Sequence, residues 1–215
     1  MLRTNTPFLS FIESLPQKQQ REDDILVKQF NTGDPILKQG ETVHRIFVIK
    51  EGITKCYISE ENGKDFIFEF LGKGEIIGEI EFLRNINCLC TIDAVSSVSI
   101  YSLSTSYFKK LLHENPELNT LLLNELADRI INTCRRSSYQ QLYTLEYGLL
   151  KLFELQLAEQ MTITKEDMAA YLGITIRSLN RVIKELKAKL SDENNFGKLK
   201  SIVHYTVLLK IKALI

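Results

Sequence analysis

Residues 162–187, TITKEDMAAYLGITIRSLNRVIKELK, constrain the fold of this chain more than any other stretch. They describe two short helices around a tight turn. Thr164 is placed to cap the first helix, its hydroxyl accepting an otherwise unpaired backbone N–H, with Asp167 three residues on. Met168, Ala169 and Leu172 recur at helical spacing, and Gly173 permits the left-handed turn that ends the helix. Thr175 caps a second helix whose inner stripe is Leu179, Val182, Ile183 and Leu186. Its other side carries Arg177, Asn180, Arg181 and Lys184, at i, i+3, i+4 and i+7. This is the pattern of a helix-turn-helix, and its cationic face fits the major groove of DNA. An ordinary helical hairpin with a solvated basic face gives the same periodicity.

Charge distribution favours the first reading. The chain is neutral overall, but residues 161–215 hold ten Lys and Arg against five Asp and Glu, leaving 17 cations and 22 anions for residues 1–160. A basic C-terminal module joined to an acidic partner suits phosphate neutralisation. No run approaches the roughly 18 apolar residues of a membrane span, and the N-terminus lacks a secretory apolar region. A cytoplasmic protein with no membrane partner is expected. Cys56, Cys88, Cys90 and Cys134 are scattered apart from one C-x-C pair. That spacing fits neither a disulfide framework nor a zinc ribbon, and buried free thiols are the default.

Seven of the ten glycines fall before residue 80. Among them lie the β-type runs 45–50 (RIFVIK), 53–59 (ITKCYIS) and 65–71 (DFIFEFL), followed by 89–95 (LCTIDAV) and 98–103 (VSIYSL). Short strands with a turn about every ten residues indicate an antiparallel barrel or sandwich. Asn62-Gly63 is a hairpin signal and Gly33-Asp34-Pro35 a further break. Residues 1–106 are assigned to a short helical lead-in and a β-domain.

From Tyr107 the pattern is helical. Pro116 opens a helix in which Leu123, Ala127, Ile130, Cys134 and Ser137 recur at alternating steps of four and three. That seam predicts pairing with the same helix of a second copy over residues 107–140, the alternative being burial within one protomer. Leu122, Leu126 and Ile131 flank the seam and are expected to pack back on the β-domain. A Leu-rich helix from about Leu142 to Glu159 leads into the helix-turn-helix, so residues 141–215 form the third region. After the turn cluster at 191–197 (SDENNFG), residues 199–215 alternate in part, which predicts a β-hairpin wing.

A glycine-punctuated β-domain, a long helix with a dimer seam and a winged helix-turn-helix together resemble the Crp–Fnr family of bacterial transcription regulators. The segments that carry the likeness are GDPILKQGE at 33–41, IFVIKEG at 46–52, LGKGEIIGEIEFL at 71–83 and 163–187. GEIIGEIE is also similar to the YeiL-like subgroup. The resemblance implies an α+β fold: an N-terminal antiparallel, jelly-roll-like β-roll, a long dimerisation helix and a C-terminal winged helix-turn-helix. It further implies that Gly78 and Glu79 open a cassette for a cyclic nucleotide, with Glu79 accepting from the ribose. Cys88 and Leu89 stand where nucleotide-binding members carry an Arg-Ser pair for the phosphate, and Arg84 lies four residues early. A desolvated phosphate without such donors is costly, so dependence on cyclic AMP is not expected and no cofactor is assigned. Thr133 and Cys134 fall where the family sets two small residues against the base; a solvated Thr133 is the alternative. Residues 1–55 hold no cysteine, so the N-terminal iron–sulfur sensor of one branch is absent, leaving a redox role for Cys88, Cys90 and Cys134 open. An effector-free member, regulated by abundance or by an unknown small molecule, is a further option.

For DNA, the resemblance places Arg181 on guanine O6 and N7, with Thr175 and Ser178 on phosphates. Arg177 replaces a glutamate that reads cytosine in many members, so a different half-site is expected. The leading reading is a homodimer on a pseudo-palindrome, contacting RNA polymerase if it activates. The alternative is a ligand-binding β-roll module whose C-terminal domain contacts protein. An enzyme is not expected. His44, His113 and His204 are far apart, with no H-x-H pair for a cupin-type metal, and no G-x-S-x-G, Walker or dinucleotide motif occurs.

Overall fold

Apolar–polar alternation between closely spaced glycines drives the first half of the chain into strands. The computed structural model describes residues 2–15, 23–191 and 204–214. The strands are β1 (Leu2–Arg3), β2 (Ile25–Phe30), β3 (Pro35–Leu37), β4 (Arg45–Glu51), β5 (Thr54–Ser59), β6 (Asp65–Leu71), β7 (Ile76–Ile77), β8 (Thr91–Ala94) and β9 (Val98–Ser104). All five strands expected from the sequence are present, each within two residues of its anticipated bounds. Two sheets result, a five-stranded one in the order β1-β6-β5-β8-β3 and a four-stranded one in the order β2-β9-β4-β7. Their pairings are antiparallel except β1 with β6. The Asn62-Gly63 turn joins β5 to β6: Gly63 has φ 73°, and Asn62 Oδ1 accepts from Lys64 N–H at 3.0 Å.

β4 shows why this half needs both a second sheet and helices. Its IFVI run is apolar without interruption, and successive side chains point to opposite faces. Phe47 and Ile49 join Leu71, Ile92, Val98 and Ile100 in one cluster. Ile46 and Val48 instead join Phe8, Leu103, Phe108, Leu118 and Leu122. The second cluster is supplied by three helices, α1 (Thr6–Ser14), α3 (Thr105–Glu114) and the start of α4 (Pro116–Leu142), while α2 (Glu79–Arg84) follows β7. Asn5 caps α1 through Phe8 N–H at 3.0 Å, and Ser104 caps α3 through Tyr107 N–H at 3.2 Å.

The chain divides into two units, Leu2–Thr133 and Cys134–Ile215. The second contains the end of α4 with α5 (Leu145–Ala158), α6 (Lys165–Leu172), α7 (Ile176–Ser191) and α8 (Tyr205–Leu214). Its interior is built from Leu149, Leu150, Leu152 and Phe153 of α5, Leu179, Val182, Leu186 and Leu190 of α7, and Leu208 and Ile211 of α8. No helix among the described residues is long and apolar enough to cross a membrane.

Two local expectations are corrected. The wing hairpin expected over residues 199–215 does not form at 205–214, which are helical. Leu208 and Ile211, three apart, are both fully buried there, and that helical spacing prevails over a partial alternation. Residues 192–203, where the turn and first wing strand were expected, lie outside the described residues. Ile131 does not pack back on the β-domain but is exposed, whereas Leu122 and Leu126 do join its core.

Candidate functional site

The helix-turn-helix begins as its residues dictate. Thr164 Oγ1 accepts from Asp167 N–H at 3.1 Å, and Gly173, at φ 69°, returns its N–H to the end of α6. Thr175 Oγ1 then accepts from Ser178 N–H at 3.2 Å and donates to Ser178 Oγ at 3.1 Å, starting α7. With Leu179, Val182 and Leu186 turned inward, Arg177, Asn180, Arg181 and Lys184 are exposed along one face. Thr175 is also exposed, while Ser178 and Ile183 are half-buried. Arg181 has Glu185 4.0 Å away, a solvated contact that leaves its guanidinium open to a stronger anion.

Periodicity does not reveal what holds α6 in place. The buried Arg136 donates to the Tyr171 carbonyl at 2.7 Å, and its guanidinium lies 4.0 Å from the centre of the Tyr171 ring. Gln140 donates to the same carbonyl at 3.3 Å. Lys189 of α7 pairs with Glu146 of α5. These contacts fix the pose of the exposed face.

In the β-domain, Gly78 adopts φ 91° at the start of α2, where a Cβ would meet Val43 at 3.3 Å. Glu79 follows and is 1% exposed. Its partner is Arg129 of α4, which also donates to the Ile76 carbonyl at 2.7 Å and to Glu125 at 3.2 Å. Arg3 completes the cluster, pairing with Glu125, with Glu69 at 3.3 Å and with Glu75 at 3.4 Å. Asn5 donates to the other Glu125 oxygen at 2.7 Å. Burial pushes the Glu79 carboxyl up, and Arg129 opposes that shift. Burial, with Glu125 beside it, raises Glu75 to about 8. Burial works against the charge of Arg129, but Glu79, Glu69, Glu125 and Glu75 outweigh it and hold the guanidinium cationic. Arg129 and Arg3 were not found from sequence. The single local signal is the i, i+4 spacing of Glu125 and Arg129, which is common on solvated helices.

The rest of the cassette does not suit a phosphate. Cys88 is buried, and its N–H donates to the Glu41 carbonyl at 2.8 Å. Leu89 is 48% exposed, and its N–H donates to the Glu81 carboxylate at 3.1 Å. Both backbone donors are therefore engaged, one by an anion that repels phosphate. Arg84 is exposed. Thr133 and Cys134 are exposed on α4, as is Ala127, while Leu123 and Ile130 are 67% and 65% exposed. The predicted seam is thus an uncovered apolar row. The three histidines are exposed, and no group among the described residues is arranged to hold a metal ion.

Residues 27–115 match the model of the cyclic nucleotide-binding domain. The cAMP-activated global transcriptional regulator CRP of Pasteurella multocida is 23% identical over 172 residues, covering 75% of this chain and 82% of that protein. The likeness to this transcriptional regulator thus spans three quarters of the chain. The nitrogen fixation regulation protein FixK of Bradyrhizobium diazoefficiens is 23% identical over 188 residues, covering 81% of this chain and 78% of FixK. The same fold is seen in a Crp/Fnr-family putative transcriptional regulator from Eubacterium rectale, at a TM-score of 0.73 and 15% identity, covering 85% of this chain and 88% of the other. The chain therefore joins a largely antiparallel β-roll to a helix-turn-helix, with Arg129 set against the cassette glutamate Glu79.

Proposed function

We propose that this chain is a sequence-specific DNA-binding transcription regulator acting in the cytoplasm as a homodimer on a pseudo-palindromic operator. The observation that carries the reading is α7, with Arg177, Asn180, Arg181 and Lys184 exposed along one face of a helix whose opposite face is buried. Arg181 reads guanine bidentately, Arg177 and Asn180 contact neighbouring base edges, and Lys184, Thr175 and Ser178 engage phosphates. Leu123, Ala127, Ile130 and Cys134 of α4 meet the same row of a second copy, which sets two recognition helices on half-sites about one helical turn apart. Residues 1–106 act as the sensor region, 107–140 as the dimerisation region and 141–215 as the DNA-binding region. RNA polymerase is a further partner if the regulator activates.

Glu79 is neutralised from within by Arg129, and Glu81 sits at the phosphate end of the cassette. This supports a β-roll that needs no cyclic nucleotide, either free of effector or responsive to another small molecule. The test is selection from randomised duplexes by the purified chain, followed by retention across a salt series. Enrichment of an inverted repeat, with affinity falling steeply as salt rises, is the expected result. Failure to enrich any motif, or retention indifferent to salt, would exclude the reading.

A further inference from the structure

One large apolar side chain stands on the polar face of α7. Ile176 is the first residue of that helix, and it is 42% exposed. Among the described residues of α6 and α7 it is the large hydrophobic side chain left open to solvent. Its position is fixed by the turn that precedes it. Thr175 Oγ1 accepts from Ser178 N–H at 3.2 Å, and the Thr175 carbonyl accepts from Leu179 N–H at 2.9 Å. With Leu179 fully buried three residues on, Ile176 is turned away from the interior.

Helical spacing assigns Ile176 to the face already set against DNA. Ile176, Asn180 and Lys184 form one row at i, i+4 and i+8, beside the row of Arg177 and Arg181. All five residues are exposed. The other four read or bind by donating hydrogen bonds or by charge, and a sec-butyl group does neither. In the major groove the apolar feature of a base edge is the thymine C5-methyl; guanine, cytosine and adenine show ring nitrogens, carbonyl oxygens and amino groups there. Setting Ile176 against those polar atoms strips them of water and gives no hydrogen bond back, which is unfavourable. Against a methyl group the same side chain removes apolar surface from water. Its β-branch restricts χ1 in a helix, so little freedom is lost when the contact forms.

We propose that Ile176 is a specificity-determining residue that reads one thymine in each half-site through its C5-methyl group. The inference rests on the DNA-binding reading above and adds to it an apolar contact, chemically separable from the hydrogen bonds of Arg177, Asn180 and Arg181. It also sets a G·C pair at that step at a disadvantage, because Ile176 meets its polar edge with nothing to offer.

The probe is the selected operator with each thymine replaced, one at a time, by deoxyuridine, which pairs as thymine does but lacks the methyl. Competition binding by the full chain should single out one thymine per half-site at which the change weakens binding about fourfold, the worth of one methyl group taken from water. Ile176→Ala should bind the thymine and uracil duplexes alike at that position and keep the parent's preferences elsewhere, including the guanine read by Arg181. A parent indifferent to every such replacement, or a selected half-site without thymine, overturns the proposal and leaves the DNA-binding reading standing. An Ile176→Ala protein that still loses affinity to uracil at the same position overturns it too. Failure to enrich any duplex removes both together. The parent alone delivers the first and last of these outcomes, so a variant that fails to fold does not shield the proposal.

Discussion

Arg129 and Glu79 meet across 50 residues of chain, in a setting where the glutamate is almost sealed from water. Removing one member of such a pair leaves the other charge buried. Arg129→Ala is expected to cost about 3–5 kcal/mol in urea unfolding. Arg129→Met combined with Glu79→Gln should cost less than the two single changes added together, by about 1–3 kcal/mol, because the residues share a network. Strict additivity would show that the contact does not couple them.

Cyclic AMP is expected not to bind. A ligand held a hundredfold above its dissociation constant adds about 2.7 kcal/mol of stability. Unfolding of this chain should be unmoved by the nucleotide in large excess, because Arg129 holds Glu79 and the Glu81 carboxylate takes the Leu89 N–H. A stabilisation of that size, read by thermal or urea melting, would overturn this view of the cassette.

Glu75 gives the protein a pH-dependent stability of definite sign. Its carboxyl is raised from 4.5 to about 8 by burial and by Glu125. The folded state therefore holds a proton that the unfolded chain releases, and stability is present in full below pH 4.5 and lost as pH rises towards about 8. Glu79 is raised too and adds a contribution of the same sign. Urea midpoints between pH 5 and 8 should fall with pH in the parent and fall less in Glu75→Gln. Equal slopes would remove Glu75 as the cause.

How much could be read beforehand depended on whether a contact was local. The caps at Thr164 and Thr175 and the stripe of Leu179, Val182 and Leu186 were legible because a helix repeats its environment every three to four residues. The strands were legible for the same reason, with period two and glycine breaks. Glu79 was found from a motif, but its partner Arg129 was not, since pairing over 50 residues leaves no trace in spacing. The pairing of Cys56 with Ile92 needs the β5–β8 register, which alternation alone does not supply. α8 was misread because VLLKIKAL satisfies both periods over a short run, and burial of Leu208 and Ile211 decides between them.

Arg181 and Lys184 should fail differently when removed from the exposed face of α7. A bidentate base contact carries sequence information, and a phosphate contact does not. Arg181→Ala is expected to lose about 1–3 kcal/mol on the selected operator and to relax preference at one base pair of each half-site. Lys184→Ala should weaken every duplex alike and reduce the salt slope by about one. Competition binding against single-base variants of the operator separates the two, and an Arg181→Ala protein that discriminates as sharply as the parent would remove the assigned contact.

The row on α4 makes the last prediction sharp, because Leu123 and Ile130 are 67% and 65% exposed and contribute little to the interior of a single chain. If a second copy covers them, a carboxylate at either position is buried opposite its own twin. Replacing Ile130 by Asp then sets two like charges face to face in an apolar seam, and the dimer dissociates. Sedimentation equilibrium should show the parent as a dimer and Ile130→Asp as a monomer with far-UV circular dichroism unchanged. Operator affinity should fall at least tenfold, since one recognition helix then binds without its tethered twin. A parent that sediments as a single chain, or a variant that remains paired, would show that this row is not the joint between protomers.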